Sequence, residues 1–206
     1  MLKIWGRTNS LNVQKVMWCV GELGLEHARI DAGGKFGQVR EDWYLAMNPN
    51  ALVPVIDDAG YRLWDSNAIV RYLAAKHDSG GLWPESPEAR GEADRWMDWQ
   101  LGTLLPHIGV VFWGLIRTPE AERDMTAIEA ARQKAGEVYE VLDSHLASRA
   151  YVAGDRLTMG DIPVGALTYR WYGLPIERPD WPNLRAWYER LAERPAFREH
   201  VMVPIT

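Results

Sequence analysis

Apolar and polar positions alternate in short blocks through the first eighty residues and then change period. The run "LKIW" (2–5) suits a strand. Residues 11–23 place Val13, Val16, Met17, Val20 and Leu23 at helical spacing, and Gly24 follows as a stop. "HARI" (27–30) predicts a second strand, and "DAGGKFG" after it reads as a glycine-rich loop. "VREDWYLAM" (39–47) reads as a short helix ended by "NPN". The runs "VPVI" (53–56) and "YRLW" flank "DDAG", a hairpin signature with Asp58, Ala59 and Gly60 at the turn. "SNAIVRYLAAKH" (66–77) predicts a helix opened by Ser66 as its cap. A parallel strand pair joined by a helix, then an antiparallel hairpin, gives a small mixed sheet with helices on its faces.

The stretch "DSGGLWPESP" (78–87) is rich in Gly, Pro and Ser and marks a domain boundary. Strand signals nearly vanish beyond it. Residues 88–117 and 119–148 read as two long helices, with a kink or break expected at Pro106. Residues 158–173 and 182–194 read as two more, and Pro163 suits a first helical turn. The expected organisation is an α/β domain over 1–80 and an all-helical domain over 86–206.

Composition narrows the classes. The 206 residues are 47% hydrophobic and 25% charged, as in an ordinary globular protein. The formal charge of −5 falls entirely after residue 80, and no basic field exists to neutralise phosphates, so nucleic acid is not an expected partner. No apolar run approaches the ~18 residues of a membrane span, and "MLKIWGRTNS" lacks a secretory pattern, so a cytoplasmic location is expected. One cysteine, Cys19, excludes an internal disulfide and a Cys-rich zinc site. The five histidines have no metal-ligand spacing, and no metal is expected. Eleven tryptophans point to a core rich in large rings, with some free to line a cleft.

Three stretches could carry chemistry. In "NALVPVI", Pro54 cannot donate to a central ladder. It sits on an edge strand, or a cis Val53–Pro54 bond leaves backbone groups free to pair with an extended ligand. In "WDSNAI", Asp65 and Ser66 precede an apolar helix. They form a plain cap beside a surface acid, or together grip a ligand end that carries both an ammonium and a carboxylate. In "GRTNSLNVQKV", Asn9, Ser10 and Asn12 can cap a helix; alternatively the Ser10 hydroxyl and Asn12 amide hydrogen-bond a ligand thiolate. Cys19 falls beside Val16, Val20 and Leu23 and reads as a buried structural thiol.

Taken together, "SLNVQKV", "NPNALVPVI" and "WDSNAIVRYL" resemble the glutathione-binding domain of cytosolic glutathione S-transferases, and "YVAGDRLTMGDI" (151–162) resembles a motif of their helical domain. The resemblance is to a bacterial serine-type, nu-like member and covers nearly the whole chain. It implies a thioredoxin-like domain followed by an all-helical one, a homodimer, and glutathione as cosubstrate, conjugated to a small hydrophobic electrophile in detoxification. By residue, it implies that Ser10 and Asn12 serve the sulfur. Val53, before a cis Pro54, would pair with the cysteinyl unit, and Asp65 and Ser66 would hold the γ-glutamyl end. Leu52 stands where many members have Lys or Arg, so Gln38, Lys35 or Arg40 would meet the glycyl carboxylate. Trp5, Trp113 and Arg117 are candidates to line an electrophile pocket between the domains. Thr158 and Asp161 would form a capping pair, with Leu157 and Ile162 a staple. Leu11 and Gly160 replace a common Pro and a common Ala. Two alternatives use the same fold: a glutathione-dependent disulfide reductase or peroxidase, and a non-catalytic glutathione-binding module.

Overall fold

The computed structural model describes residues 1–206. The chain forms two compact units, Met1–Trp83 with Pro195–Val203, and Pro84–Arg194 with Pro204–Thr206.

In the first unit, β1 (Leu2–Trp5), β2 (His27–Ile30), β3 (Val55–Asp58) and β4 (Tyr61–Trp64) form one sheet in the order β2-β1-β3-β4. β1 pairs parallel with β2 and antiparallel with β3, and β3 pairs antiparallel with β4. This is the mixed sheet of a thioredoxin-like domain. The strand expected over 53–56 begins two residues later, because Pro54 has no N–H to give a ladder. The Val53–Pro54 bond is cis.

The sheet is joined by α1 (Leu11–Glu22), a single turn α2 (Asp42–Leu45) and α3 (Ser66–His77). The apolar stripe of α1 is fully buried at Val13, Val16, Trp18 and Val20. α1 packs against α3. Lys76 and Tyr72 of α3 both reach Asp58 Oδ2, at 2.5 and 2.8 Å, which ties the helix to the hairpin. The cap of α3 is Asp65, not Ser66 as the sequence suggested. Asp65 Oδ1 accepts from the N–H groups of Asn67 and Ala68 at 3.0 and 2.9 Å, and Ser66 becomes the first helical residue.

The second unit is all-helical. The first expected long helix runs unbroken over 87–117, but as α4 (Pro87–Trp99) and α5 (Leu105–Phe112), each followed by a wider π-helical turn. The turn at Gln100–Leu104 lies just before Pro106, whose ring and missing N–H disfavour regular bonding there. By length and composition this run could also span a membrane, although its buried face packs against α6. α6 spans Met125–Leu146, so 119–124, expected to be helical, forms a short 3₁₀ turn and a cap at Asp124 instead. α7 (Asp161–Gly173) and α8 (Pro182–Ala192) complete the unit around Trp171, Trp187, Tyr139 and Leu142.

Residues 195–200 form α9, which the sequence reading placed within the helical domain. Its ring Phe197 instead meets Trp18 of α1 edge to face at 4.7 Å. Gly21 allows this close crossing: a Cβ there would lie 2.9 Å from Ala196 Cβ.

The departure at Gly160 also has a physical cause. A Cβ at Gly160 would sit 2.7 Å from the backbone oxygen of Ala93 in α4, which cannot swing aside as a side chain would. Gly160→Ala is therefore expected to lower unfolding stability by about 1–3 kcal/mol in urea denaturation.

Candidate glutathione site

The first unit carries a cavity of about 250 Å³. Asn12 enters it from α1, Leu52, Val53 and Pro54 from the loop before β3, Trp64 from the end of β4, and Asp65 and Ser66 from the start of α3. Six residues that the sequence reading singled out thus meet at one place: Asn12, Leu52, Val53, Pro54, Asp65 and Ser66.

Ser10 stands one residue before α1, in extended backbone, and is 9% exposed. Its carbonyl accepts the first helical bond, from Gln14 N–H at 2.9 Å. Its hydroxyl makes no capping hydrogen bond. A serine at this position usually caps with its side chain, so here the hydroxyl is left for another partner. Asn12, two residues further on, accepts from the Ser66 hydroxyl at Oδ1 over 3.2 Å. That bond fixes the amide orientation and leaves the Asn12 NH₂ group as a donor. It also joins the N-termini of α1 and α3, whose dipoles both favour an anion.

Asp65 has φ of 72°, and its Oδ1 is engaged in the cap described above. The N–H groups of Asn67 and Ala68 are therefore not open to a ligand carboxylate, contrary to the expectation of an open helix terminus. What α3 still offers an anion is the Ser66 N–H, since the Ser66 hydroxyl proton goes to Asn12 Oδ1.

Two residues that line the cavity were not singled out from the sequence. Asn48 and Asn50 lie in "NPN", which reads only as a helix breaker. Asn48 Nδ2 and the Tyr44 hydroxyl both donate to the Leu52 carbonyl, at 2.8 and 2.9 Å. Asn48 Oδ1 accepts from both the backbone N–H and the Nδ2 of Asn50, each at 3.0 Å. These bonds hold the segment that presents Val53. Burial pushes the Tyr44 phenol up to about 12, so it stays a donor.

Other expected site residues lie elsewhere. Gln38 does not line the cavity; its Nε2 donates to the Asp31 carbonyl at 3.2 Å. The Lys35 ammonium lies 5.1 Å from the Phe36 ring. Trp5 is half-buried against a cluster of Ala32, Tyr44, Met47 and Val55. In the second unit, Trp113 is 64% exposed, and the Arg117 guanidinium lies over the rings of Phe112 and Trp113 at 5.7 and 5.9 Å. Cys19 is fully buried with Sγ 3.9 Å from the Val70 carbonyl, and burial pushes its thiol well above the ordinary range. It has neither the exposure nor the thiolate character of a nucleophile. No group of three or more His, Cys, Asp or Glu side chains is gathered as a metal site would need.

Comparison with known proteins agrees with this geometry. Residues 1–75 match the family profile "Glutathione S-transferase, N-terminal domain", and residues 104–195 match "Glutathione S-transferase, C-terminal domain". The chain is 43% identical to glutathione S-transferase GstB of Escherichia coli, over the full length of both. It is 29% identical to glutathione S-transferase 3 of Zea mays, covering 97% of this chain and 93% of that one. Among solved structures, the theta class glutathione S-transferase from Xanthomonas axonopodis pv. citri with glutathione bound superposes with a TM-score of 0.96 at 47% identity, covering 100% of this chain and 99% of that one. Both domains, the full-length identity and the fold place the chain among the glutathione S-transferases: it belongs to that family of transferase enzymes.

Proposed function

We propose that this transferase binds glutathione in the cavity at the joined N-termini of α1 and α3 and transfers its thiolate to a small apolar electrophile. The observation that carries the reading is the meeting there of the Asn12 amide with the start of α3, at two helix N-termini, with the Ser10 hydroxyl, uncommitted to capping, two residues before Asn12 in the chain. Amide, helix termini and hydroxyl all favour an anion. Ser10 and Asn12 would donate to the sulfur, which makes the chain a serine-type member. The Val53 backbone would pair with the cysteinyl unit. Asp65 would meet the γ-glutamyl ammonium, and Ser66 its carboxylate. Of the cations near the glycine-rich loop, Lys35 and Arg40 are exposed, whereas the Gln38 amide is already engaged; one of those two would meet the glycyl carboxylate. No covalent enzyme intermediate is needed. Trp5, Trp113 and Arg117 would contact the electrophile.

The first unit would thus be the glutathione-binding domain and the helical unit the electrophile-binding one, in a cytoplasmic homodimer. Light scattering at micromolar concentration tests the dimer. An aryl-halide conjugation assay tests the reaction; a chain that turns over hydroxyethyl disulfide with glutathione but not an aryl halide would be a reductase. One that binds glutathione and turns over neither would be a binding module.

Asp65 allows cap and charge to be separated. Asp65→Asn keeps an oxygen for the α3 cap, so stability should change by no more than about 0.5 kcal/mol. It removes the charge, so glutathione affinity by isothermal titration calorimetry should fall about tenfold, the effect of ~1.4 kcal/mol. Unchanged affinity would remove Asp65 from the site.

A further inference from the structure

We propose that Lys15 is a positioning residue for this site: its buried ammonium holds the start of α3 against α1, and so keeps Asn12, the sulfur donor, in register with Ser66 at the γ-glutamyl end. The proposal rests on the glutathione reading of Asn12 and Ser66 given above.

Lys15 is 1% exposed, among the largest fully enclosed side chains of the protein. Its Nζ lies 3.5 Å from Oδ1 of Asn67, itself 3% exposed. An ammonium taken out of water is costly even when partnered, and an apolar side chain would fill an interhelical contact at lower cost. Its place here calls for a role beyond packing.

The spacing supplies one. Asn12 and Lys15 are three residues apart and so share a face of α1. They grip consecutive residues at the start of α3: Asn12 takes the Ser66 hydroxyl at 3.2 Å, and Lys15 takes the Asn67 amide oxygen. The Asn67 backbone N–H in turn donates to Asp65 Oδ1 at 3.0 Å. Lys15 is thereby one residue removed from both Asp65 and Ser66, behind the cavity they line. A positive charge in the low-dielectric interior also adds to the field of the two helix N-termini, and so favours a bound thiolate over a thiol. Lys15 itself touches no substrate and transfers no proton.

The test is the pH profile of kcat for aryl-halide conjugation, which reports groups that ionise in the enzyme–glutathione complex. Lys15→Met keeps length and packing without the charge. Its midpoint is expected to rise by about one pH unit, with kcat at neutral pH lowered about tenfold. Asn67→Ala cuts the same link from the other side, leaves Lys15 in place, and should move the midpoint in the same direction. If Lys15→Met does not fold, Asn67→Ala decides alone. A folded variant whose melting temperature falls while midpoint and KM for glutathione match wild type overturns the proposal, since Lys15 would then be structural only. A wild-type enzyme that shows no glutathione-dependent turnover fails the glutathione reading, and this inference with it.

Discussion

Ser10→Ala is expected to lower turnover with an aryl halide by about ten- to a hundredfold, the range set by one hydrogen bond to a charged partner at ~1.5–3 kcal/mol. Glutathione affinity should hold within about twofold, because most contacts to the tripeptide lie elsewhere and a neutral thiol gains little from a donor. The fold should not suffer: the Ser10 hydroxyl makes no capping bond, and its backbone carbonyl, which does start the helix, is retained. The variant therefore isolates an interaction with the anion. Stopped-flow or steady-state kinetics beside calorimetry would show it as a loss in kcat with affinity preserved. Asn12→Ala should behave differently. It breaks the bond to Ser66 as well, so both affinity and turnover should fall. If Ser10→Ala retains full turnover, the hydroxyl is not the activator and Asn12 with the helix termini must suffice.

The largest expected effect on stability is at Asp161. Its carboxylate is fully buried. Oδ1 accepts from Val152 N–H at 2.9 Å and from the Trp187 indole at 3.0 Å. Oδ2 accepts from the N–H and hydroxyl of Thr158 at 2.9 and 3.3 Å, while Thr158 Oγ1 accepts from Gly160 N–H at 3.3 Å. This is the reciprocal pattern of a capping box, extended to α8 and to the turn at Val152. Asp161→Ala strands those donors in the interior, each worth ~1–3 kcal/mol, and should cost about 3–5 kcal/mol in urea denaturation. Its pH behaviour runs opposite to that of most carboxylates. Burial pushes the Asp161 carboxyl up from 3.8 to about 6, against the pull of its donors. Between those values the folded state holds the proton that the unfolded state has lost. The contribution is thus complete below pH 3.8 and declines as pH rises to about 6. The stability gap between wild type and Asp161→Asn, which cannot ionise, should narrow across that window.

The element order of the first unit and the helical second unit were legible because period and punctuation report local structure; the strand order within the sheet was not. Gly24 and "DDAG" end or turn elements wherever they stand; the strand read at 53–56 lies two residues further on, at Val55–Asp58, and takes Asp58 from the expected turn. The candidate site was read from short motifs whose meaning came from their combination; Ser10, Pro54 or Ser66 alone reads equally well as a cap or an edge. What stayed hidden depends on tertiary contact. Lys15 looks like any polar helical residue until α3 covers it. The 195–200 segment has the pattern of a last helix in a helical domain, and only Gly21 and Trp18 reveal where it docks. Asn48 and Asn50 read as breakers because their side-chain bonds to one another and to Leu52 require the loop to be folded. The choice of Asp65 over Ser66 as cap turns on a φ of 72°, which no side-chain pattern encodes.

On this reading the protein converts glutathione to its thiolate without using a cysteine of its own. An ultraviolet difference titration of the bound thiol, at saturating protein, tests it most directly. A free thiol of this type titrates near ~8.5. Hydrogen bonds from Ser10 and Asn12 predict a bound midpoint about one to two pH units lower, and a partial return toward the free value in Ser10→Ala. A bound thiol that titrates at the free value in the wild-type protein would contradict the account.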